Sequence, residues 1–179
     1  YNNGFIYFTY SHDFKKNKIN SQNSNRMSST AIARGILKDD KISNFKILLI
    51  GKPEINSGKH FGSRLVIKDE FIFASFGERG LGMIAQDPEK HPGSIIRIKT
   101  DGSLPSDNPK FSGKNNWLPE IYQIGVRNPQ GMTINPNDGK IYFSNHGPRG
   151  GDSIGLVKFA GNYGWKEIAW GGTEYIGKK

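Results

Sequence analysis

"EFIFASFG", residues 70–77, decides the fold, because the chain contains its pattern three times. The same run begins at Gly4 as "GFIYFTYS" and at Gly139 as "GKIYFSNH". Ile6, Ile72 and Ile141 align, as do Thr9, Ser75 and Ser144, and the two intervals between copies are nearly equal. A second pattern keeps step with the first. "HFGSRLVI" from His60 aligns with "RNPQGMTI" from Arg127, and Ile67 and Ile134 close the two copies at nearly the same interval again. Between the copies lie more short β-branched and aromatic runs, among them "TAIARGIL", "FKILLIG", "SIIRIKT", "EIYQIGV" and "SIGLVKF", bounded by Gly, Pro, Asn and Asp. Sustained helical periodicity is missing, and "NPNDGK" is a hairpin turn with Gly139 supplying positive φ. The chain is all-β.

A period of this length, holding about four strands, is the signature of a β-propeller blade. One blade cannot bury its own faces, so blades stack in a ring. About ten strands make two and a half blades, and a closed ring needs at least four, so the chain covers part of a propeller or its ring closes with other chains. The expectation is one partial propeller domain over residues 1–179, two and a half to three blades long, incomplete at both ends and with no second domain. A β-sandwich with chance similarity between strands is the alternative.

Composition narrows the function. Without cysteine there are no disulfides, thiolate metal sites or cysteine nucleophiles. No apolar run approaches a membrane span. The net charge of +9 raises the question of nucleic acid, but 18 of the 25 basic residues are Lys scattered through turns and strand edges, so a solvated basic surface is the reading adopted. Arg64, Arg79, Arg127 and Arg149 differ, lying in or beside glycine-rich loops. "GERGLG" has no βαβ unit around it, "GKPEINSGKH" lacks the phosphate-loop spacing, and no GxSxG elbow exists.

The repeat places the unusual segments. In a propeller the innermost strand of each blade lines the central channel, and the connection entering it shares a face with the connection between strands two and three. His60 and Arg127 stand at matching entries to consecutive inner strands. "GERGLGMIAQDPEKHPGS" and "HGPRGGDS" are both second-to-third-strand connections. All four are expected on one rim, where pockets are default ligand sites.

The segments "HFGSRLV", "AQD", "DGSLPSDNP", "PEIYQIGVRNPQGM", "HGPRGGD" and "NYGW" resemble, in order and spacing, the soluble aldose and glucose dehydrogenases that use pyrroloquinoline quinone, the glucose/sorbosone dehydrogenase group. The resemblance implies a six-bladed propeller with the quinone on its upper face. It implies oxidation of an aldose at the anomeric carbon to a lactone, an external electron acceptor, and a periplasmic or secreted location. Nucleic acid and a membrane span are not expected as partners.

Through the resemblance, His60 is the base that takes the hydroxyl proton while hydride leaves the same carbon. A His that satisfies strand-end backbone groups is the other reading. Glu78, further on in "FGERG", matches an acid that orients the histidine, or is a surface acid paired with Arg79. Arg127 and Asn128 match a pair that contacts the quinone, with Gln130 lining the site. "RNPQG" is equally good turn chemistry. Gly147 and Pro148 match carbonyls that hold Ca2+ on the quinone, or form a tight turn. Tyr163 matches a second calcium ligand, but Ser153 stands where the family usually has Glu, and a hydroxyl is a much weaker calcium ligand. That substitution favours the rival functional reading, a non-enzymatic propeller used as a binding module; His60 and Arg127 favour the enzyme.

Overall fold

The computed structural model describes residues 4–14, 26–110 and 117–168. All ten runs read from the sequence are strands. The first sheet is an antiparallel meander of β1 (Ile6–Phe14), β2 (Met27–Lys38) and β3 (Lys41–Ile50). The middle sheet is built from β4 (Gly62–Lys68), β5 (Phe71–Phe76), β6 (Ser94–Lys99) and β7 (Ile121–Ile124), also antiparallel. The third contains β8 (Pro129–Ile134), β9 (Ile141–Asn145) and β10 (Ser153–Leu156). The only helical element among the described residues is a 3-10 segment, Gly82–Gln86.

Four-stranded sheets were the expectation; among the described residues only the middle sheet has four antiparallel strands, to which a short fifth is added. The reason is phase. The triplicated run forms β1, β5 and β9, which is the second strand of a blade each time. The first sheet therefore matches strands two to four of the unit, and the third matches strands one to three. One strand has no counterpart among the runs read from the sequence: β11 (Gly161–Asn162), which pairs in parallel with the outer edge of β7. It carries the chain from the third sheet back onto the middle one.

The middle sheet is buried on both faces, which explains why "FIFASF" and "SIIRIK" are nearly continuous apolar runs. Successive side chains of a strand point to opposite faces. Ile72, Ala74 and Phe76 of β5 join Ile96 and Ile98 of β6 and Ile32 of β2 in a core between the first and middle sheets. Phe73 and Ile95 face the other way, onto Val126, Met132, Ile141 and Phe143, in a core shared with the third sheet. The strands thus stack like blades, each hiding a neighbour's face.

The aligned hydroxyls tie blade to blade. Thr9 Oγ1 donates to the Ser63 carbonyl at 2.9 Å, and Ser75 Oγ donates to the Pro129 carbonyl at 2.8 Å. In both cases a second-strand hydroxyl reaches the inner strand of the next sheet.

Candidate active site

The hairpin of β4 and β5 sets the first pair of residues. From Lys68 to Leu65 the strands pair in one register; beyond a β-bulge at Ser63–Arg64 the register slips by one, so that Gly62 faces Phe76. Two steps further, the residue opposite Glu78 is then His60; the unslipped register would have put Phe61 there. Bulges re-aim side chains in this way. Gly62 and Ser63 hold the bulge in left-handed backbone (φ 66° and 67°), and the Ser75 hydroxyl accepts from Arg64 N–H at 3.1 Å. The third sheet repeats the device: its register shifts between Pro129 and Gly131, at the matching place.

His60 Nδ1 and Glu78 Oε1 form a close hydrogen-bonded pair. Glu78 is buried, and His60 keeps 19% of its side chain exposed, enough to meet a ligand. The second carboxylate oxygen accepts from Gly82 N–H at 2.5 Å. Burial pushes the Glu78 carboxyl up, but the bonds from His60 and from the Gly82 and Gly80 backbone together outweigh it and hold it below the usual carboxylate range. An ionised carboxylate on Nδ1 fixes the proton there and leaves Nε2 as the acceptor. The ring bonds a carboxylate through Nδ1, and Glu78 is buried instead of lying on the surface beside Arg79.

Arg127 and Asn128 are buried. The Arg127 guanidinium donates through Nη1 to the carbonyls of His146 (3.2 Å) and Gly147 (2.9 Å) and lies 5.3 Å from the Trp165 ring centroid. Asn145, which sequence reasoning missed, accepts both the Arg127 and the Asn128 N–H on one oxygen. Asn128 Oδ1 in turn accepts from Gly62 N–H at 3.0 Å, and Glu78 N–H donates to the Arg127 carbonyl at 2.8 Å. The two inner-strand entries are thereby locked together.

A cavity of about 680 Å³ opens between them, lined by Lys59, His60, Glu78, Leu81, Met83, Arg127, Trp165 and Lys166, with Gly80 and Gly82. Three cations face one carboxylate that is itself paired with His60, so the lining suits an anionic ligand, and Trp165 supplies a flat wall. Lys59, Trp165 and Lys166 were not singled out as site residues from the sequence. Trp165 arrives because β11 continues into bonds from Tyr163 N–H to the Ile124 carbonyl and from Trp165 N–H to the Gly125 carbonyl. Only the "NYGW" run itself hinted at it.

The other expected residues are not among those lining this cavity. Asn128 Oδ1 accepts from Gly62 N–H in the brace, and Gln130 is exposed at the bulge of β8. Gly147 and Pro148 lie in the turn after β9, where the Gly147 carbonyl accepts from the Arg127 guanidinium and Gly147 N–H donates to Asp152 Oδ1 at 2.7 Å. The Tyr163 hydroxyl accepts from Leu156 N–H (2.6 Å) and donates to the Leu156 carbonyl (2.9 Å). No group of three His, Asp or Glu residues comes together among the described residues. With a guanidinium on the Gly147 carbonyl and Ser153 at the carboxylate position, these residues as placed do not fit a calcium ion.

The profile of the family described as "Glucose / Sorbosone dehydrogenase" matches residues 1–179. The aldose sugar dehydrogenase YliI of Escherichia coli is 39% identical over 153 residues, which is 84% of this chain and 41% of that protein. Quinoprotein glucose dehydrogenase B of Acinetobacter calcoaceticus is 36% identical over 142 residues, 68% of this chain and 28% of that protein. The crystal structure of the soluble aldose sugar dehydrogenase of Escherichia coli, in its apo-form, superposes with a TM-score of 0.87 at 34% identity, covering 99% of this chain and 49% of that one. The chain spans less than half the length of these relatives, and its sheets are part of a β-propeller.

Proposed function

The chain belongs to the glucose/sorbosone dehydrogenase family, and from that premise we propose that the full-length protein oxidises the anomeric carbon of an aldose to a lactone, using pyrroloquinoline quinone and an external electron acceptor. The observation that carries the reading is the His60–Glu78 pair on the wall of a cationic cavity with Arg127. His60 Nε2 takes the proton of the anomeric hydroxyl. Glu78 keeps Nδ1 protonated, turns the ring and stabilises the imidazolium that forms. Bound quinone supplies the acceptor for the two electrons and the hydrogen that leave the same carbon. Arg127, Lys59 and Lys166 would hold its carboxylates, and their positive charge would favour its reduced form. No step is assigned to calcium. A periplasmic or secreted location suits such a reaction.

The test is reconstitution of the full-length protein with the quinone, followed by aldose-dependent dye reduction. His60→Ala should bind quinone as before and lose about a hundred- to ten-thousand-fold in turnover. A variant keeping more than half of the wild-type rate would overturn the role of His60. Quinone binding with no sugar-dependent reduction in the wild type would favour the binding-module reading.

A further inference from the structure

Arg79 follows Glu78 directly and feels its charge, yet the two form no salt bridge, and Arg79 is 2% exposed. Its guanidinium donates to backbone and hydroxyl oxygens: Nη1 to the Ser28 carbonyl (2.8 Å), Nη2 to Ser28 Oγ (3.0 Å) and to the Ser57 carbonyl, and Nε to the Lys59 carbonyl (2.9 Å). Its carbon centre lies 3.6 Å from the centroid of the Phe61 ring. Its own N–H donates to the His60 carbonyl at 3.3 Å. One residue therefore grips the segment on both sides of His60 and His60 itself.

The grip has something to oppose. His60 sits in left-handed backbone at φ 50°, a conformation that persists only where surrounding structure over-determines it. Burial of a guanidinium without a carboxylate bonded to it is unfavourable and needs every donor satisfied. Burial lowers the Arg79 pKa to about 10, which still leaves it charged at neutral pH. The blade architecture does not ask for this arrangement: the third repeat has Pro148 at the aligned position.

We propose that Arg79 is a positioning residue for the oxidation: by clamping Ser57, Lys59 and Phe61 to the start of β2, it holds the His60 ring against Glu78. The proposal rests on His60 as the base. The prediction for Arg79→Lys in the full-length protein is a fall in turnover on the order of a hundredfold, as expected for a slightly misplaced catalytic group, with the sugar KM unchanged. In the cofactor-free protein, the Glu78 carboxyl, followed by carbon NMR of labelled Glu, should titrate higher in the variant than in the wild type, because the bond from His60 has loosened. His60→Asn separates the two readings. If that variant keeps turnover, His60 is not the base, while the Glu78 titration still reports whether Arg79 holds the pair. An Arg79→Lys protein with an unmoved Glu78 titration overturns the clamp, whatever its activity. Should Arg79→Lys fail to fold, Ser28→Ala removes a single acceptor of the clamp. It should raise the Glu78 titration by a smaller step, and no rise would overturn the proposal.

Discussion

At Gly77 a single missing methyl group decides whether the site can exist. The backbone of Gly77 runs so close to the His60 carbonyl that a Cβ would collide with it, and it would also lie 2.8 Å from Asn128 Oδ1. The His60 carbonyl is backbone and cannot yield without moving His60, and Asn128 Oδ1 could yield only by leaving its bond from Gly62. Gly77→Ala should cost about 1–3 kcal/mol by overpacking, seen in denaturant unfolding of the full-length protein, and lower turnover with it. Stability equal to wild type would show that the His60 segment can shift freely. The sequence displayed this glycine only as part of "FGERG", where a turn was sufficient explanation. His60, Glu78 and Arg127 were legible as special through the repeat and the family motif. Arg79's grip was not, because its acceptors are the backbone and hydroxyl of ordinary serines and the backbone of a lysine.

Strands and their bulges carry the next level. The Ser75 hydroxyl is fully buried, patches the bulge of β4 and reaches Pro129 in the next sheet. Thr9 makes the corresponding reach to Ser63 from a partly buried position. Ser75→Ala should therefore destabilise by about 1–3 kcal/mol, the cost of leaving buried polar groups unpaired, and Thr9→Ala by less. Equal effects in denaturant unfolding would mean that burial does not set the strength of these ties. Strand identity was readable from short apolar runs and turn residues, and all ten runs became strands. Register was not. The slip that aims His60 at Glu78 depends on left-handed backbone at Ser63, and serine does not announce that conformation as glycine would. β11 escaped notice because so short a strand, Gly161 and Asn162 alone, has no periodicity to detect.

On the scale of the whole molecule, the first sheet leaves Leu37, Ile42 and Phe45 about half exposed along the outer hairpin of β2 and β3. Such a row at a sheet edge recruits other chains. The chain of residues 1–179 expressed by itself should self-associate and show no sugar oxidation even with quinone, since it spans less than half of its relatives' length. Sedimentation and a dye-reduction assay check this, and a compact, active monomer would refute the partial-ring reading. The parallel return of β11 to the edge of β7 has a consequence for timing. During synthesis His60, Glu78 and Arg127 leave the ribosome well before Trp165, which lies downstream of all three, beyond β8, β9 and β10. The middle sheet can pair β4 to β7 while one wall of the cavity is still untranslated. A ligand that touches the whole lining of this cavity can therefore seat only after Trp165 has been made and β11 has returned to β7.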